Sequence, residues 1–390
     1  MRINLISPSF YPATVYGGPI FSTLYTCREL AKLGHKIYIS TTNANRGIKL
    51  NVIVNKPLEF EKGISINYYN DTFPDRLSLP LSINLWGDIK KADVIHSQYI
   101  FSSPTPISLF YANQLKKPYL LSPRGSFAPW ILSNGIGLKK EYISLFIKPY
   151  NKKIWWHATS DQEKNEITDL FPSARIFTIP NGINLEESKS YSELTKEKFI
   201  KKFVGLDSSL PSHIIVSMGR LQKKKGFDIL INAFYKLREA FPLAYLLIAG
   251  QDEGEKENLT KQIHALNLHD RAFIIDPING ADKWTFLHNA DLFVLPSHNE
   301  NFGNVYAEAL AAGTPIIASL DTPWKEVEEY QCGKWIKNTT EMTAEAIKEL
   351  LNSDLIEMGK NGRKYIQKFE WKNIALQFEA AFNTMLQDNS

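Results

Sequence analysis

Short β-branched and aliphatic runs alternate with longer amphipathic stretches along the whole chain, in two series separated by a polar interval. That alternation is the mark of βαβ units and of parallel sheets covered by helices, and few other folds accommodate it. In the first series the expected strands are Ile3–Ser7, Lys36–Thr42, Asp93–Ser97, Pro118–Ser122, Ile154–Thr159 and Arg175–Ile179. In the second they are His213–Met218, Ala244–Ala249, Arg271–Ile275, Asp291–Leu295 and Pro315–Ala318. The first long helix is expected from about Pro19 to Leu33, closed by Gly34 in the place a helix-ending glycine takes. The fold class is therefore α/β, with two Rossmann-like, doubly wound parallel-sheet domains. A length of 390 residues fits two domains of roughly 150 to 200 residues each. The join is expected at Asn181-Gly182, ahead of the polar stretch Glu186–Pro211, which gives domains of 1–182 and 183–369. The last periodic segment, about 370–390, is expected to pack back on the first domain.

Composition narrows the function classes. At 44% hydrophobic and 12% aromatic content the chain can fill two cores. Met1-Arg-Ile-Asn-Leu-Ile-Ser7 is too short an apolar run for a signal peptide and no 18-residue apolar stretch follows, so a cytoplasmic protein that does not span a membrane is expected. Cys27 and Cys332, without metal-ligand or redox spacing, read as reduced structural thiols. Residues 1–180 carry 21 Lys/Arg against 12 Asp/Glu, and residues 181–390 carry 24 against 29, so the net +4 divides into +9 and −5. A basic first domain points to an anionic partner such as the inner face of a membrane, a lipid diphosphate or an acidic glycan. No nucleic-acid module is present, and nucleic acid is not an expected partner. The run KKEYISLFIKPYNKKIWW, Lys139 to Trp156, suits an interfacial element and a core helix with a basic solvent face equally well.

The chemistry concentrates in Glu300-Asn301-Phe302-Gly303-Asn304-Val305-Tyr306-Ala307-Glu308, just after the apolar run Asp291 to Pro296. The expected arrangement is strand, loop, helix, with Glu300 on the loop and Glu308 about a turn into the helix, at the sheet edge where α/β proteins bind ligands. An ionised carboxylate only accepts hydrogen bonds, so each glutamate can grip a vicinal diol. Backbone N–H groups at Gly303 and Asn304, with the positive end of the helix dipole, suit hydroxyl oxygens or phosphate. A solvated loop glutamate and a surface helix glutamate would show the same spacing. The segment Ser217 to Asp228 follows the first strand of the second series: Gly219 permits a tight turn, Arg220 offers a planar fork and Lys225 a point charge, which together suit a diphosphate. Lys223 and Lys224 read as solvated loop. Tyr16-Gly17-Gly18-Pro19 exposes backbone N–H groups ahead of the first helix, as a plain turn also would. Arg124, after the strand ending at Ser122, is expected to face the cleft between the domains, although an ordinary surface arginine would read alike. The eight histidines show no zinc spacing and no Asp-x-Asp occurs, so no metal is expected. Of these, His96 and His157 read as structural and His298 as a candidate beside Glu300.

Taken together, these segments resemble glycosyltransferase family 4, the retaining, nucleotide-sugar-dependent enzymes of the GT-B fold. The resemblance rests on Gly17-Gly18 with Arg28 to His35, Pro180-Asn181-Gly182-Ile183, Gly219-Arg220 to Lys225-Gly226, Ala249-Gly250, Ala290-Asp291 to Pro296-Ser297, and Glu300 to Glu308 with Gly313-Thr314-Pro315. These occur in the family's order over nearly the whole chain. The resemblance implies two Rossmann-like domains facing a deep cleft, the first binding the acceptor and the second the nucleotide sugar. It implies that Arg220 and Lys225 neutralise the donor diphosphate and that Glu308 holds the ribose hydroxyls. Glu300 would bind the transferred sugar with the backbone of Asn301, Phe302, Gly303 and Asn304, while Gly17 and Gly18 approach the phosphates. Many members carry a histidine where this chain has Arg124-Gly125; an arginine stays charged and cannot shuttle a proton, but can stabilise the leaving phosphate or grip an anionic acceptor. The Pro123-Arg124-Gly125 form with Pro129-Trp130 resembles a bacterial surface-polysaccharide subgroup.

The implied activity is metal-independent, retaining transfer of a sugar, with uridine the expected base, to a hydroxyl of a lipid-linked or growing glycan, without a cofactor. Other readings keep a place. Two glutamates flanking one bond at about 5 to 5.5 Å would make a retaining glycosidase, in which a phosphate-binding pair has no purpose. A nucleotide-sugar epimerase would share the donor site, and a silent nucleotide-sugar-binding scaffold would share everything except turnover.

Overall fold

In the computed structural model, which describes residues 1–390 apart from 74–76, 134–135, 208–210 and 390, each series of strands builds its own sheet. The first sheet runs, edge to edge, Arg175–Thr178, Ile154–Ala158, Tyr119–Ser122, Val94–Gln98, Arg2–Ile6, Lys36–Thr42, Ile64–Tyr69 and Leu58–Glu61. All neighbours pair in parallel except the last two, which are antiparallel. The second sheet, parallel throughout, runs Ala272–Ile275, Ala244–Ala249, His213–Met218, Leu292–Leu295, Ile316–Ser319 and Gly333–Ile336. Central strands such as Leu292–Leu295 are buried at every residue, as helices on both faces of a sheet require. Two compact units result: Met1–Gly182 with Trp371–Ser390, and Ile183–Glu370.

Within these two sheets three strands lie where none was expected, and Ala44–Asn45 and Ile48–Lys49 add a small antiparallel pair outside them. Ile64–Tyr69 carries Ser65 and Asn67 among its apolar residues, and asparagine disfavours strands. Its neighbour Leu58–Glu61 alternates polar and apolar residues as an edge strand does. Gly333–Ile336 opens on a glycine and is one of the two edge strands of its sheet.

The first long helix spans Gly18–Lys32, with Gly34 just beyond it at φ +92°. The last helix, Trp371–Asp388, belongs to the first unit. Its Trp371, Ile374, Phe378, Phe382 and Met385 are buried in one core with Ile3, Leu5, Leu24 and Ile39. Trp371 stacks on Tyr25 at 5.8 Å, and Glu379 bonds His35 Nε2 at 2.8 Å. Gly182 makes this docking possible, because a Cβ there would lie 2.3 Å from the Trp371 ring. Both cysteines are buried and free, and burial pushes each thiol up to about 12, which leaves them unreactive at neutral pH.

Candidate functional site

In the second unit two neighbouring strand ends meet at one edge. The chain leaves His213–Met218 through Gly219 and Arg220, forms a tight turn over Lys223–Lys225, and enters the helix Phe227–Lys236 through Gly226. Gly226 has φ +67°, and a Cβ on it would lie 2.2 Å from the carbonyl oxygen of Pro296, the residue after strand Leu292–Leu295. Only glycine lets these two loops touch. Their backbones are tied directly, His298 N–H donating to the Lys224 carbonyl at 2.9 Å.

That contact brings Lys225 to Glu300. The Lys225 ammonium forms an ion pair with Glu300 Oε1, and the two side chains are only 13% and 12% exposed. Ser297 Oγ donates to the same carboxylate oxygen at 2.9 Å. Burial pushes the Glu300 carboxyl up, but Lys225, Lys224 and the Ser297 hydroxyl outweigh it and hold the group below the usual carboxylate range. Glu300 is therefore ionised at neutral pH.

Beyond Glu300 the chain turns at Gly303 and enters helix Asn304–Ala312. Tyr306 Oη donates to the Leu295 carbonyl at 2.6 Å and pins the first turn to the strand end. Glu308, one turn further, forms an ion pair with Lys283 of helix Gly280–His288 at 2.8 Å. The Phe302 side chain is core: it is buried against Trp324 and Phe369, and its carbonyl accepts from Trp324 Nε1 at 2.6 Å. Arg220 stands apart from the buried pair, half-exposed, with one nitrogen 3.3 Å and 3.4 Å from the two oxygens of Glu253. His298 bonds Asn338 at 2.9 Å on the exposed side of the loop.

Lys283, Glu253 and Asn299 were not singled out from the sequence. A lysine two turns before a strand and a glutamate in a Gly-rich loop carry no signal until the fold places them. Asn299 is buried beside Glu300, and its Oδ1 has no hydrogen-bond partner among the described residues.

In the first unit, Gly17 (φ +79°) caps helix Gly18–Lys32 after strand Arg2–Ile6. Arg124, two residues past strand Tyr119–Ser122, donates from Nε to Gln98 Oε1 at 2.7 Å and from Nη1 to Asn181 Oδ1 at 3.1 Å. His96 and His157 lie within strands Val94–Gln98 and Ile154–Ala158 and are fully buried. Ser122 Oγ joins them at 2.8 Å and 2.7 Å, Gln98 Nε2 reaches His96 Nε2 at 2.9 Å, and His157 Nε2 donates to the Ile179 carbonyl at 2.8 Å. Burial first, then neighbouring positive charge, holds both imidazoles below their usual range: His157 falls to about 3, and His96 is lowered well below normal. Both are neutral, and through Gln98 they anchor Arg124.

The run Lys139–Trp156 divides in two. Ile143, Ile147 and Trp156 are core and Trp155 stacks on Phe177, so the tryptophan end is not interfacial. Leu145 is 67% exposed and Phe146 is 39% exposed, among Lys139, Lys140 and Lys148. Pro129 opens the short helix Pro129–Ser133, and the side chain of Trp130 lies outside the described residues. A separate pocket of about 360 Å³ opens on Arg2, Asn4, Tyr38 and Asp88 at the amino ends of the first sheet's strands, and none of the expected site residues lines it. No group of three metal-binding side chains occurs among the described residues, and no described helix is long and apolar enough to cross a membrane.

Comparison with known proteins follows the same division. The model of Glycosyltransferase Family 4 matches residues 16–187, and that of Glycosyl transferases group 1 matches residues 199–369. A phosphatidyl-myo-inositol mannosyltransferase of Mycobacterium leprae is 27% identical over 251 residues, 63% of this chain and 63% of the relative. The capsular polysaccharide biosynthesis glycosyltransferase CapM of Staphylococcus aureus is 28% identical over 236 residues, 58% of each. The matched segments thus span under two thirds of these relatives' lengths. Among solved structures, HepE of Anabaena, in complex with UDP, superposes with a TM-score of 0.76 at 16% identity, covering 98% of this chain and all of that one. Sucrose-phosphate synthase of Thermosynechococcus elongatus superposes at 0.75 with 20% identity, covering 99% of each chain. These likenesses carry the GT-B fold.

Proposed function

Since the chain belongs to glycosyltransferase family 4, with a group 1 domain as its second half, we propose that it moves a sugar from a UDP-sugar to a hydroxyl of a lipid-linked or growing glycan. The transfer retains anomeric configuration, needs no metal, and serves bacterial surface-polysaccharide synthesis. One observation carries this reading: the buried Lys225–Glu300 pair stands at the carboxyl edge of the second sheet, just ahead of a helix N-terminus. Such an edge receives phosphates, and a cation beside a carboxylate matches a diphosphate joined to a polyol. The solved likenesses with UDP and UDP-glucose support uridine as the base.

The chemistry follows from the pairing. As the anomeric bond breaks, negative charge gathers on the departing diphosphate. Lys225 exchanges Glu300 for the diphosphate, Arg220 brings its fork alongside, and the backbone at Gly303-Asn304 faces the charge. Glu300, released, accepts hydrogen bonds from the transferred sugar, and Glu308, held in place by its ion pair with Lys283, accepts them from the ribose hydroxyls. The departing phosphate oxygen takes the acceptor's proton on the face it leaves. A glycosidase needs one carboxyl with a raised pKa to protonate the leaving group, and Glu300 is shifted the other way.

Calorimetric titration with UDP-, GDP-, ADP- and TDP-sugars in EDTA tests the reading. Saturable binding of UDP-sugars that Glu308→Ala abolishes is expected; binding that requires added metal, or no binding to any donor, overturns it. Product formation with purified protein separates an enzyme from a silent scaffold, and its dependence on an acceptor separates a transferase from an epimerase. On the acceptor side, the basic and apolar face at Leu145 and Phe146 supports contact with an anionic membrane. Replacing both residues by aspartate is expected to abolish co-sedimentation with vesicles containing phosphatidylglycerol, and undiminished co-sedimentation would remove the membrane from this account.

A further inference from the structure

Two neighbouring strand ends in the first unit hold residues in a backbone conformation that side chains avoid. Tyr99, directly after strand Val94–Gln98, has φ +66°, and Arg124, after strand Tyr119–Ser122, has φ +56°. Gln98 and Ser122 are register partners, so the two strained positions share one edge of the sheet. Positive φ at a bulky residue persists only where the surroundings enforce it, and it concentrates at ligand sites.

The surroundings of Arg124 are unusual for a cation. Its acceptors are carboxamide oxygens, on Gln98 and Asn181, and no carboxylate forms an ion pair with it among the described residues. Glu163, the buried carboxylate of this region, is committed elsewhere: Oε1 accepts from Gly125 N–H at 2.7 Å, and Oε2 from the Thr159 N–H and hydroxyl at 2.7 Å and 2.8 Å. Glu163 therefore shapes the loop that carries Arg124. Two neutral imidazoles complete the network behind Gln98 and bring no opposing charge. The amides orient the guanidinium through Nε and Nη1, and no described residue takes a hydrogen bond from Nη2. A partly buried fork so held is ready for a planar or tetrahedral oxyanion.

We propose that Arg124 is the centre of an oxyanion-recognition site on the first unit, which takes a phosphate or carboxylate carried by the acceptor. The substrate class becomes an anionic acceptor, a glycan bearing an acidic sugar or a lipid bearing phosphate. The assignment rests on the transferase reading above, and the donor's own diphosphate is the other source of the same chemistry.

The test is calorimetric titration of the full chain with inorganic phosphate and with glucuronate, with and without saturating UDP, in wild type and Arg124→Gln. UDP-saturated wild type is expected to bind one of the two probes, and Arg124→Gln to weaken that binding about 10- to 100-fold with UDP affinity unchanged. If saturation with UDP removes the probe site and Arg124→Gln instead loses UDP affinity by about the same factor, the oxyanion is the donor's diphosphate and the acceptor assignment is overturned. Unchanged affinities for UDP and both probes overturn the site itself. Should Arg124→Gln not fold, the Arg124 Nε–H resonance of the wild type, identified by its loss in Arg124→Lys, decides: a shift on adding the probe supports the site and a static resonance refutes it. Wild type that ignores UDP but binds a probe through Arg124 sinks the transferase reading and leaves the oxyanion site standing.

Discussion

Lys225→Ala is expected to lower turnover about 10²- to 10³-fold, the loss that follows removal of one preorganised partner of a developing anion. It is also expected to cost stability, because Glu300 stays behind as a carboxylate only 12% exposed. Breaking a buried pair by removing one partner costs about 3 to 5 kcal/mol, and the residual exposure of both side chains places this case near the lower figure. The pH dependence carries the proof. In the wild type Glu300 is held below its unfolded range, so its contribution to stability is full above the unfolded pKa and is lost as pH falls through the folded one. Without Lys225, burial, which pushes the carboxyl up, meets less opposition. The penalty of the variant is then largest at neutral pH and shrinks as Glu300 takes up a proton. Thermal denaturation of both proteins between pH 7 and about 4.5 reads this directly, and a gap that widens on acidification would refute the pairing. Lys225→Met with Glu300→Gln is expected to recover most of the stability and none of the turnover.

How much of this was legible beforehand differs between fold and site. Strands buried on both faces announce themselves as apolar runs, and Leu292–Leu295 or Ala244–Ala249 needed nothing more. Ile64–Tyr69 was illegible because its Asn67 is buried in the sheet, where only tertiary packing compensates for a poor strand former. The run ending in the tryptophans at 155 and 156 suits an interface and a core equally by composition, and Trp156 fills the core against Phe171. A window of sequence cannot say which side of an aromatic stretch faces inward when its backbone passes through three kinds of turn before becoming a strand.

At the site, residue types marked the candidates and missed their partners. Glu300, Glu308, Arg220 and Lys225 stood out by motif. That Lys225 pairs with Glu300, and that Lys283 pairs with Glu308, depends on two loops and two helices brought together from 75 and 25 positions apart. Phe302 shows the converse, since it sits in the motif but spends its side chain on Trp324. The Arg124 network draws on four strand ends and the Asn181 segment, and only a folded sheet assembles it.

Arg220→Ala is expected to match Lys225→Ala in turnover, with about a 10²- to 10³-fold loss, while leaving stability nearly untouched. The guanidinium side chain is 53% exposed and approaches Glu253 by a single nitrogen, at 3.3 Å and 3.4 Å. Those distances exceed the roughly 2.7 to 2.9 Å of a strong charge-assisted bond, and pairs of this kind contribute about 0 to 1 kcal/mol. The Glu253 side chain is 15% exposed, but its contact with Arg220 is long and it keeps its bond to Gln222 when Arg220 is gone, so its charge is not left without a partner. Arg220→Lys restores a charge without the fork and is expected to recover part of the rate. Steady-state kinetics beside thermal denaturation separate the possibilities. A fall in kcat with Tm unchanged places Arg220 on the transition-state charge; a rise in KM alone would mean that it grips ground-state and transition-state donor equally and contributes binding rather than catalysis. Full activity would remove Arg220 from the site, and the whole burden of the diphosphate would then fall on Lys225 and the helix N-terminus.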